Sequence, residues 1–327
     1  MRALLCKDYG GIDALAVEEA PSPTLKPGEV RVKVEACGVN FPDTLIVEGK
    51  YQFKPEPPFS PGGEISGVVT DLGEGVEGVA VGDPVIAITI WGGFAEEIAV
   101  PAAQLLKRPA SMDPRVAAGF SMTYGTAMHA LVQRADLQAG ETLLVLGAAG
   151  GVGLAAIEIG RRLGARVIAA ASSADKLAVA RDAGADETVN YSETGLKDAV
   201  KELTGGKGVD VVFDPVGGEL TEQALRATGW RGRHLIVGFA AGEIPKIPAN
   251  LTLLKGLAVV GVFWGDFVKR EPDANRANFE RLFAWAEAGA IKPLVSETFS
   301  LETASDALRK LAARQAVGKL VVDLSKG

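Results

Sequence analysis

The segment 143–163 constrains the fold more than any other, because it joins a buried strand, a glycine-rich turn and a helix in direct succession. Residues Leu143–Leu146 form a short apolar run, which is typical of a buried parallel strand. A glycine-rich turn follows at once, and apolar residues then recur at helical spacing over 154–163. At the start of such a helix the backbone N–H groups and the helix dipole both favour an anion. The sequence therefore predicts a pyrophosphate site and a bound dinucleotide.

The glycine pattern of this turn departs from the dinucleotide motif G-x-G-x-x-G at one position. Gly150 and Gly153 match its second and third glycines, whereas Ala148 stands where the first is expected. Strand, turn and helix come in the order that the motif requires. We therefore predict that five consecutive residues bind the cofactor: Ala149, Gly150, Gly151, Val152 and Gly153. The alternative is a turn that only packs a helix against a sheet.

The next predicted strand, Arg166–Ala171, ends at Ser172 and Ser173. Sites that prefer NAD usually carry an acidic residue here, which binds the ribose 2′-hydroxyl. Two small hydroxyls followed by Lys176 suit a 2′-phosphate instead, so we predict NADPH binding through these three side chains. Two alternatives remain open: Asp175 is close enough in sequence to serve as the missing acid, and Lys176 could be an ordinary solvated helix residue.

Length, charge and cysteine content exclude several classes of protein. The chain has 327 residues, which is enough for two domains. Its formal net charge is -7 and it has no basic stripe, which argues against a nucleic-acid partner. No apolar run reaches the roughly 18 residues of a membrane span, the first residues lack a signal-peptide pattern, and Cys6 and Cys37 make no disulfide framework. We expect a cytoplasmic protein that acts on a small molecule.

The pattern of the sequence changes near residue 120. Before it, short apolar stretches separated by Pro and Gly clusters indicate a compact, mainly antiparallel β domain. Later, strands and helices alternate, which predicts an α/β unit with a doubly wound parallel sheet. Its strands are expected at 142–146, 166–171, 209–213, 234–237 and 257–262. The segment Asp214–Gly218 follows one of them at a carboxyl end, where such folds bind ligands.

Five motifs in order along the chain carry a resemblance to a known family. They are Ala36–Asp43, Pro61–Gly67, Gly92–Glu96, Ala148–Gly153 and Gly261–Gly265. With them the sequence resembles the medium-chain dehydrogenase/reductase superfamily, specifically its zinc-free quinone oxidoreductase (zeta-crystallin-like) branch. The resemblance implies a GroES-like domain (1–122 with 268–327) and a Rossmann domain (123–267) that flank an active-site cleft. It also implies a homodimer that pairs the last Rossmann strand, residues 257–262.

The resemblance also bears on zinc. Zinc-dependent relatives have a cysteine and a histidine as ligands where this chain has Asn40 and Gly63. The chain has two histidines, His129 and His234, and two cysteines, and none of them falls at the spacing of metal ligands. We therefore predict that the chain holds no metal.

Without a Lewis acid, alcohol oxidation would lose the stabilisation of its alkoxide, whereas an acceptor that is already activated needs less help. The sequence thus favours hydride transfer from NADPH to a quinone or a conjugated carbonyl compound. A 2-alkenal or enoyl-thioester reductase and a non-catalytic NADPH-binding protein are the alternatives, because fold does not establish catalysis.

Three residues are the predicted catalytic groups. The resemblance implies that Asn40 lies near the nicotinamide and that Tyr51 matches a tyrosine that lines the cleft of related reductases, and Asp43 is the third. The amide of Asn40 could bind the nicotinamide carboxamide or the substrate oxygen, and Tyr51 could donate to a developing oxyanion. Asp43 could orient both. The structural alternatives are a turn-forming Asn40, a packing role for Tyr51 and a helix cap at Asp43.

The resemblance implies further cofactor contacts. Thr123 matches a family threonine at the nicotinamide ribose, and Tyr191 matches a residue beside the adenosine 2′-phosphate. Arg314 could reach a cofactor phosphate, although a surface arginine is the alternative. The remaining predicted cofactor or pocket walls are Gly238, Phe239, Phe263 and Trp264, for whose aromatic rings core packing is the alternative.

Overall fold

The computed structural model describes residues 1–325, and these divide into two units. The first contains residues 1–122 and 294–325, and the second contains residues 123–293. The sequence placed the later boundary at 268. In the structure the helix Pro272–Glu287 belongs to the second unit. Its Asn275 accepts a hydrogen bond from the Trp264 indole, and its Asn278 pairs with Gln133.

The first unit is built mainly from strands. Its strands are β1 (Arg2–Leu5), β2 (Ala16–Glu19), β3 (Glu29–Gly38), β4 (Glu64–Leu72), β5 (Pro84–Ile88), β6 (Glu97–Pro101), β7 (Leu105–Lys107), β14 (Val295–Phe299) and β15 (Lys319–Asp323). Its helices are α1 (Phe41–Ile46), α2 (Pro114–Ala118), the first residues of α3 (Ser121–Met128) and α11 (Ala304–Ala312).

One large sheet organises this unit. Among the described residues its order is β14-β15-β3-β4-β5-β7, with β6 also paired to β3. The contacts are antiparallel except for the pair β14 and β15. The long central strand β3 turns Val30, Val32 and Val34 into the core. Fully buried positions alternate with less buried ones over residues 29–35, which explains why the sequence predicts antiparallel β structure.

The second unit alternates strands and helices. Its strands are β8 (Thr142–Leu146), β9 (Arg166–Ala171), β10 (Glu187–Asn190), β11 (Val209–Asp214), β12 (Thr228–Ile236) and β13 (Ala258–Gly261). Its helices are the rest of α3, the π-helical segment His129–Arg134, α4 (Gly151–Arg162), α5 (Ala174–Asp182), α6 (Leu196–Leu203), α7 (Glu219–Ala227), α8 (Ala249–Lys255), α9 (Trp264–Arg270) and α10 (Pro272–Glu287).

The six strands of this unit form a parallel sheet in the order β10-β9-β8-β11-β12-β13. The order reverses between β8 and β11, and dinucleotides bind at the carboxyl ends of the strands beside such a reversal. The predicted fold class is confirmed: a doubly wound parallel sheet and a mainly antiparallel β unit. Strand β12 is longer than predicted, since it begins at Thr228 with a shift in register against β11.

The outer strand of the parallel sheet leaves one edge open. Strand β13 pairs with β12 on one side, and most of its residues are exposed. The helix before it carries two exposed leucines, Leu253 and Leu254. Within residues 1–325, no helix is both long and apolar enough to cross a membrane.

Candidate functional site

The glycine-rich turn joins β8 to α4 in the geometry that the sequence predicts. Gly147 turns the chain with φ +58°, a backbone conformation that favours glycine. A Cβ on Gly153 would collide with the Gly147 carbonyl oxygen and lie 2.9 Å from the Ala148 Cα. Gly147 therefore makes the tight turn one position before Ala148, where the spacing of the motif predicts it.

The amino end of α4 is suited to an anion. Gly150 is its N-cap residue, and among the described residues no side chain caps the helix or places an acid in its first turn. The early N–H groups of a helix without such a cap remain available to an anionic ligand, and the helix dipole adds to the attraction. The structure places the five predicted residues of the turn, Ala149 to Gly153, at this helix end.

The predicted 2′-phosphate residues come together at the ends of two adjacent strands. Ser173 caps α5, and its Oγ accepts the Lys176 backbone N–H at 3.4 Å. Lys176 is half-buried in the first turn of α5. The Tyr191 backbone N–H donates to the Ala171 carbonyl at 3.2 Å, which joins the end of β10 to the end of β9. Asp175, the alternative acid, is exposed on α5.

A buried carboxylate organises the loops that follow β11 and β12. Asp214 Oδ1 accepts the backbone N–H groups of Val216 and Gly217, each at 2.9 Å. Its Oδ2 accepts the Thr221 hydroxyl at 2.6 Å and contacts His234 Nε2 at 3.0 Å. Burial raises the pKa of Asp214, but the hydrogen bonds that it accepts outweigh burial and lower the pKa overall.

The loops 214–218 and 237–243, called the cofactor loops below, pack on the glycine turn and on each other. A Cβ on Gly147 would lie 3.0 Å from Val216 Cγ2, and one on Gly217 would lie 3.1 Å from the Phe239 ring. The Gly238 backbone N–H donates to the Asp214 carbonyl at 3.3 Å. The structure therefore brings Gly238 and Phe239, both predicted, to the same edge of the sheet as the turn.

Phe263 and Trp264, the two aromatic residues after β13, differ in how much of each side chain is exposed. Trp264 is buried, a Cβ on Gly125 would lie 2.6 Å from its ring, and its Nε1 donates to Asn275 Oδ1 at 3.2 Å. Phe263 is 54% exposed. These contacts give Trp264 a packing role in the second unit. Thr123 is buried in α3, and its contact with the nicotinamide ribose stays a prediction.

The first unit holds a buried cluster of polar side chains, called the polar cluster below: Asn40, Asp43, Glu64 and Lys319. The Lys319 ammonium donates to Asn40 Oδ1 at 2.7 Å, to the Val39 carbonyl at 3.0 Å and to Glu64 Oε2 at 3.2 Å. Asn40 Nδ2 donates to Glu64 Oε2 at 3.0 Å and to the Gly38 carbonyl at 3.2 Å.

Glu64 and Lys319 were not predicted as site residues. Glu64 follows the double glycine of the motif Pro61–Gly67, and Lys319 is the first residue of β15. What sequence could not show is that strands β4 and β15 bring the two residues into contact with each other and with Asn40.

Asp43 caps α1, because its Oδ2 accepts the Asn40 backbone N–H at 2.7 Å. This is the structural role that the sequence left open. Complete burial raises the pKa of Asp43 to about 7, against the lowering effects of the Asn40 hydrogen bond and of Lys319. A carboxyl with this pKa exists in both protonation states near neutral pH.

Tyr51 is half-buried in the first unit and packs beside Phe53, with ring centroids 5.9 Å apart. Burial and, to a lesser degree, the Asp43 charge raise the pKa of the Tyr51 phenol. Tyr51 is therefore protonated at neutral pH and able to donate a hydrogen bond.

The residues at the zinc-ligand positions do not fit a catalytic zinc ion. A Cβ on Gly63 would lie 2.9 Å from the Ile90 carbonyl oxygen. Ile90 has φ +73°, a left-handed conformation that is rare for a β-branched residue. This backbone therefore occupies the space that a ligand side chain at position 63 would need. Across residues 1–325, no three His, Cys, Asp or Glu side chains form a metal-binding group.

Arg314 lies in the first unit, after α11. It is exposed and has φ +58°. Contact between Arg314 and a cofactor phosphate stays a prediction.

Comparisons with known proteins define the class to which this fold and these residues belong. Residues 26–110 match the family model described as "Alcohol dehydrogenase GroES-like domain". Residues 151–286 match the one described as "Zinc-binding dehydrogenase". The chain is thus a two-domain dehydrogenase/reductase, although its residues at positions 40 and 63 depart from the zinc ligands that the second description suggests.

Individual relatives narrow this class. The chain is 40% identical to a quinone oxidoreductase-like protein 2 homolog of Nematostella vectensis, over 98% of this chain and 88% of that protein. A mycobacterial protein solved in complex with NADPH is 32% identical, with a TM-score of 0.92 over 99% of this chain and 100% of the other. The Escherichia coli quinone oxidoreductase complexed with NADPH is 28% identical, with a TM-score of 0.91 and the same coverage.

The chain therefore belongs to the quinone oxidoreductase branch of the medium-chain dehydrogenase/reductase superfamily. The family predicted from the five motifs is confirmed, and so is the expectation of an oxidoreductase. The predicted use of NADPH agrees with two relatives of the same fold that were solved as NADPH complexes.

Proposed function

We propose that this chain transfers a hydride from NADPH to a quinone or a conjugated carbonyl compound, without a metal ion. The observation that carries the proposal is the end of β9, where Ser173 and Lys176 follow in place of the acid that would favour NAD. Tyr191, which follows the adjacent β10, is hydrogen-bonded to the end of β9 through its backbone. The names and bound cofactors of the relatives support the same cofactor and the same class of acceptor.

NADPH, when bound, supplies the hydride. The chain contributes a hydrogen-bond donor for the oxygen that gains negative charge as the hydride arrives. In our proposal this donor is the Tyr51 hydroxyl, which its raised pKa keeps protonated. The acceptor oxygen then takes its proton from water, so that a quinone gains two electrons and two protons in all.

Asn40 and Asp43 have supporting parts in this proposal. The Asn40 amide donates to Glu64 and to the Gly38 carbonyl, and Lys319 donates to its Oδ1. In our proposal the Asn40 carbonyl oxygen accepts an N–H of the nicotinamide carboxamide in exchange for the Asp43 backbone N–H that it faces in the capping box of α1. Asp43 holds the Asn40 backbone through its cap.

Metal independence is proposed because the Ile90 backbone fills the space beside Gly63. Turnover should therefore survive dialysis against a strong chelator, and metal analysis of the active protein should find no stoichiometric zinc. One zinc ion per chain whose removal abolishes turnover would contradict this part of the proposal.

The aromatic pair Tyr51 and Phe53 favours a quinone over the other acceptors. Two half-buried rings offer apolar faces on which a planar acceptor can stack. A 2-alkenal or an enoyl thioester lacks an aromatic plane and would gain less from these rings. We therefore expect benzoquinone to have the highest kcat/KM of the three acceptors.

The proposal is tested by following NADPH oxidation with benzoquinone, a 2-alkenal and crotonyl thioester, each repeated with NADH. Rapid oxidation that prefers NADPH supports a reductase, and the ranking of acceptors identifies its substrate class. Tight NADPH binding without turnover of any acceptor would overturn catalysis and leave the non-catalytic alternative.

The cofactor preference has its own test in Lys176→Ala. If Lys176 contacts the 2′-phosphate, its loss should raise KM for NADPH roughly tenfold, the effect of about 1.4 kcal/mol, and leave KM for NADH unchanged. The matched control is Lys197→Ala, since Lys197 is half exposed on α6 and pairs with its exposed neighbour Asp198. Equal effects of the two variants would contradict the assignment.

We also propose that two copies of the chain pair through the open edge of the parallel sheet. Strand β13 offers unpaired backbone groups at this edge. Exposed apolar residues lie nearby in the sequence, with Phe263 at 54% and Leu253 at 81% exposure. A second copy related by a two-fold axis would extend the sheet and cover them. The cytoplasmic location stays a prediction.

Light scattering during size-exclusion chromatography tests the pairing. The wild-type protein should have twice the mass of one chain. Val259→Lys, which places a charge on β13, should reduce the measured mass to that of a single chain. A wild-type protein that stays monomeric at micromolar concentration would contradict the dimer.

A further inference from the structure

A histidine lies where the parallel sheet would ordinarily carry an apolar residue. His234 in β12 is fully buried, and its Nε2 lies 3.0 Å from Oδ2 of Asp214, the last residue of β11. The neighbouring strand positions, such as Val212 and Leu235, are apolar and buried. Central strands of parallel sheets are usually apolar on both faces, so a buried pair of His234 and Asp214 is unusual at this place.

The hydrogen bonds assign the form of the imidazole. His234 Nδ1 is buried and has no hydrogen-bond partner among residues 1–325. A proton on Nδ1 would be an unsatisfied buried donor, which is unfavourable. Nε2 therefore carries a proton and donates it to Asp214 Oδ2.

This bond fixes the direction of the Asp214 carboxylate. Oδ2 receives the His234 and Thr221 donors from the sheet and from α7. Oδ1 is thereby turned toward the backbone N–H groups of Val216 and Gly217. The carboxylate thus joins two strands and a helix to the first cofactor loop.

The cofactor loops connect Asp214 to the glycine turn. The Val216 side chain packs against Gly147, where a Cβ would lie only 3.0 Å from it. The Val237 and Gly238 N–H groups donate to the Asp214 carbonyl at 2.9 and 3.3 Å. Asp214 therefore contacts the first cofactor loop through the carboxylate that His234 holds, and the second through its backbone carbonyl.

We propose that His234 is a positioning residue for NADPH: it holds Asp214, which places the cofactor loops against the glycine turn. This inference rests on the proposed function, because it takes NADPH as the ligand of that edge of the sheet. A purely structural histidine would affect the stability of the sheet without affecting the affinity for the cofactor.

The test compares two substitutions at one position. His234→Leu keeps the site apolar and removes the donor, whereas His234→Gln offers an amide N–H of similar reach. The readouts are the Kd of NADPH, from quenching of tryptophan fluorescence, and KM for NADPH and for benzoquinone. We expect His234→Leu to raise the NADPH Kd roughly tenfold, the scale of one hydrogen bond to a charged group. We expect His234→Gln to stay within about twofold of wild type and KM for benzoquinone to change little in either variant.

Thr228→Val is the matched control. Thr228 lies in the same strand, is equally buried and donates its hydroxyl to the Ala224 carbonyl at 2.8 Å, but it lies at the amino end, away from the cofactor loops. Loss of the Thr228 hydroxyl should lower Tm without changing the Kd of NADPH. If His234→Leu does not fold, Thr221→Val serves instead, since it removes the other donor to Asp214 Oδ2, and it should raise the Kd a few-fold.

The outcomes separate the inference from the proposed function. A His234→Leu protein that loses stability like Thr228→Val but binds NADPH like wild type overturns the inference alone. A wild-type protein that binds no NADPH overturns the proposed function and the inference with it. A selective rise in Kd that His234→Gln reverses supports both.

Discussion

Two buried aspartates, one in each unit, show how the same degree of burial produces opposite results. Asp43 in the polar cluster and Asp214 beside the cofactor loops are both about 1% exposed. Asp214 accepts two backbone N–H groups, a hydroxyl and an imidazole N–H, and its pKa is lowered. Asp43 accepts fewer donors, and desolvation raises its pKa to about 7.

The number of donors, more than burial, therefore decides whether a buried acid is a fixed anion. A permanently ionised Asp214 is suited to hold loops in one place. Asp43 can gain or lose a proton near neutral pH, so the charge of the polar cluster changes over the range in which the protein would work. The following predictions test this contrast.

The largest effect is expected at Lys319. Replacing it by Met leaves the fully buried Glu64 without its cation and should lower the free energy of unfolding by about 3–5 kcal/mol. Urea unfolding measures this change. The control is Lys310→Met, which breaks the more exposed pair with Glu297 and should cost less than about 1 kcal/mol. Similar losses in both variants would show that the polar cluster is not held by its buried charges.

The pH dependence of stability should separate the two acids. The folded-state pKa of Asp43 is about 7, above the unfolded value of about 3.8, so the folded state binds its proton more tightly. The stability that Asp43 contributes is fully present below about pH 4 and is lost as the pH rises through 7, with an upper limit of about 4 kcal/mol.

Asp43→Asn removes this titration and should flatten the curve of unfolding free energy between pH 5 and 8, as measured by urea unfolding. Asp214 acts in the opposite sense: because its pKa is lowered in the folded state, its contribution is present above its unfolded pKa and is lost in acid. A wild-type curve in the neutral range that Asp43→Asn does not change would contradict the raised pKa.

Tyr51→Phe tests the chemistry proposed for the first unit. It keeps the ring beside Phe53 and removes the donor, so kcat for benzoquinone should fall roughly 10- to 100-fold with a much smaller change in KM for NADPH. Tyr9→Phe is the control, because the Tyr9 hydroxyl donates to the Pro55 carbonyl and has no role in the proposal. A Tyr51→Phe enzyme with unchanged kcat would remove Tyr51 from the mechanism.

The smallest effect is expected from Thr221→Val in the second unit. It removes one of the four donors to the Asp214 carboxylate, so the loops should loosen only partly and the NADPH Kd should rise a few-fold with kcat unchanged. Equilibrium binding followed by tryptophan fluorescence measures it. An effect on kcat alone would mean that the loops influence the chemical step instead of cofactor binding.

The parts of the molecule that sequence could predict are those with local causes. The bounds of β8 and β9 were predicted correctly, because continuous apolar runs end at glycine and serine residues. The Asp43 cap and the Ser173 cap also come from neighbours in sequence. The position of the segment 214–218 directly after β11 was predicted for the same reason, since the apolar strand ends there.

The parts that sequence missed depend on distant segments. Glu64 and Lys319 are 255 residues apart and meet only because β4 and β15 lie on either side of β3. The contact between Asp214 and His234 depends on the register of β11 against β12. The obstruction at Gly63 comes from an unusual backbone conformation at Ile90, which no propensity indicates.

The central claim is that this chain is an NADPH-dependent reductase of activated acceptors. The most direct measurement is kcat/KM for benzoquinone reduction with NADPH and with NADH, in the wild-type protein and in Lys176→Ala. The account predicts rapid turnover with a clear preference for NADPH that Lys176→Ala reduces by roughly tenfold. Equal turnover with both cofactors, unaffected by Lys176→Ala, or no turnover with either, would contradict it.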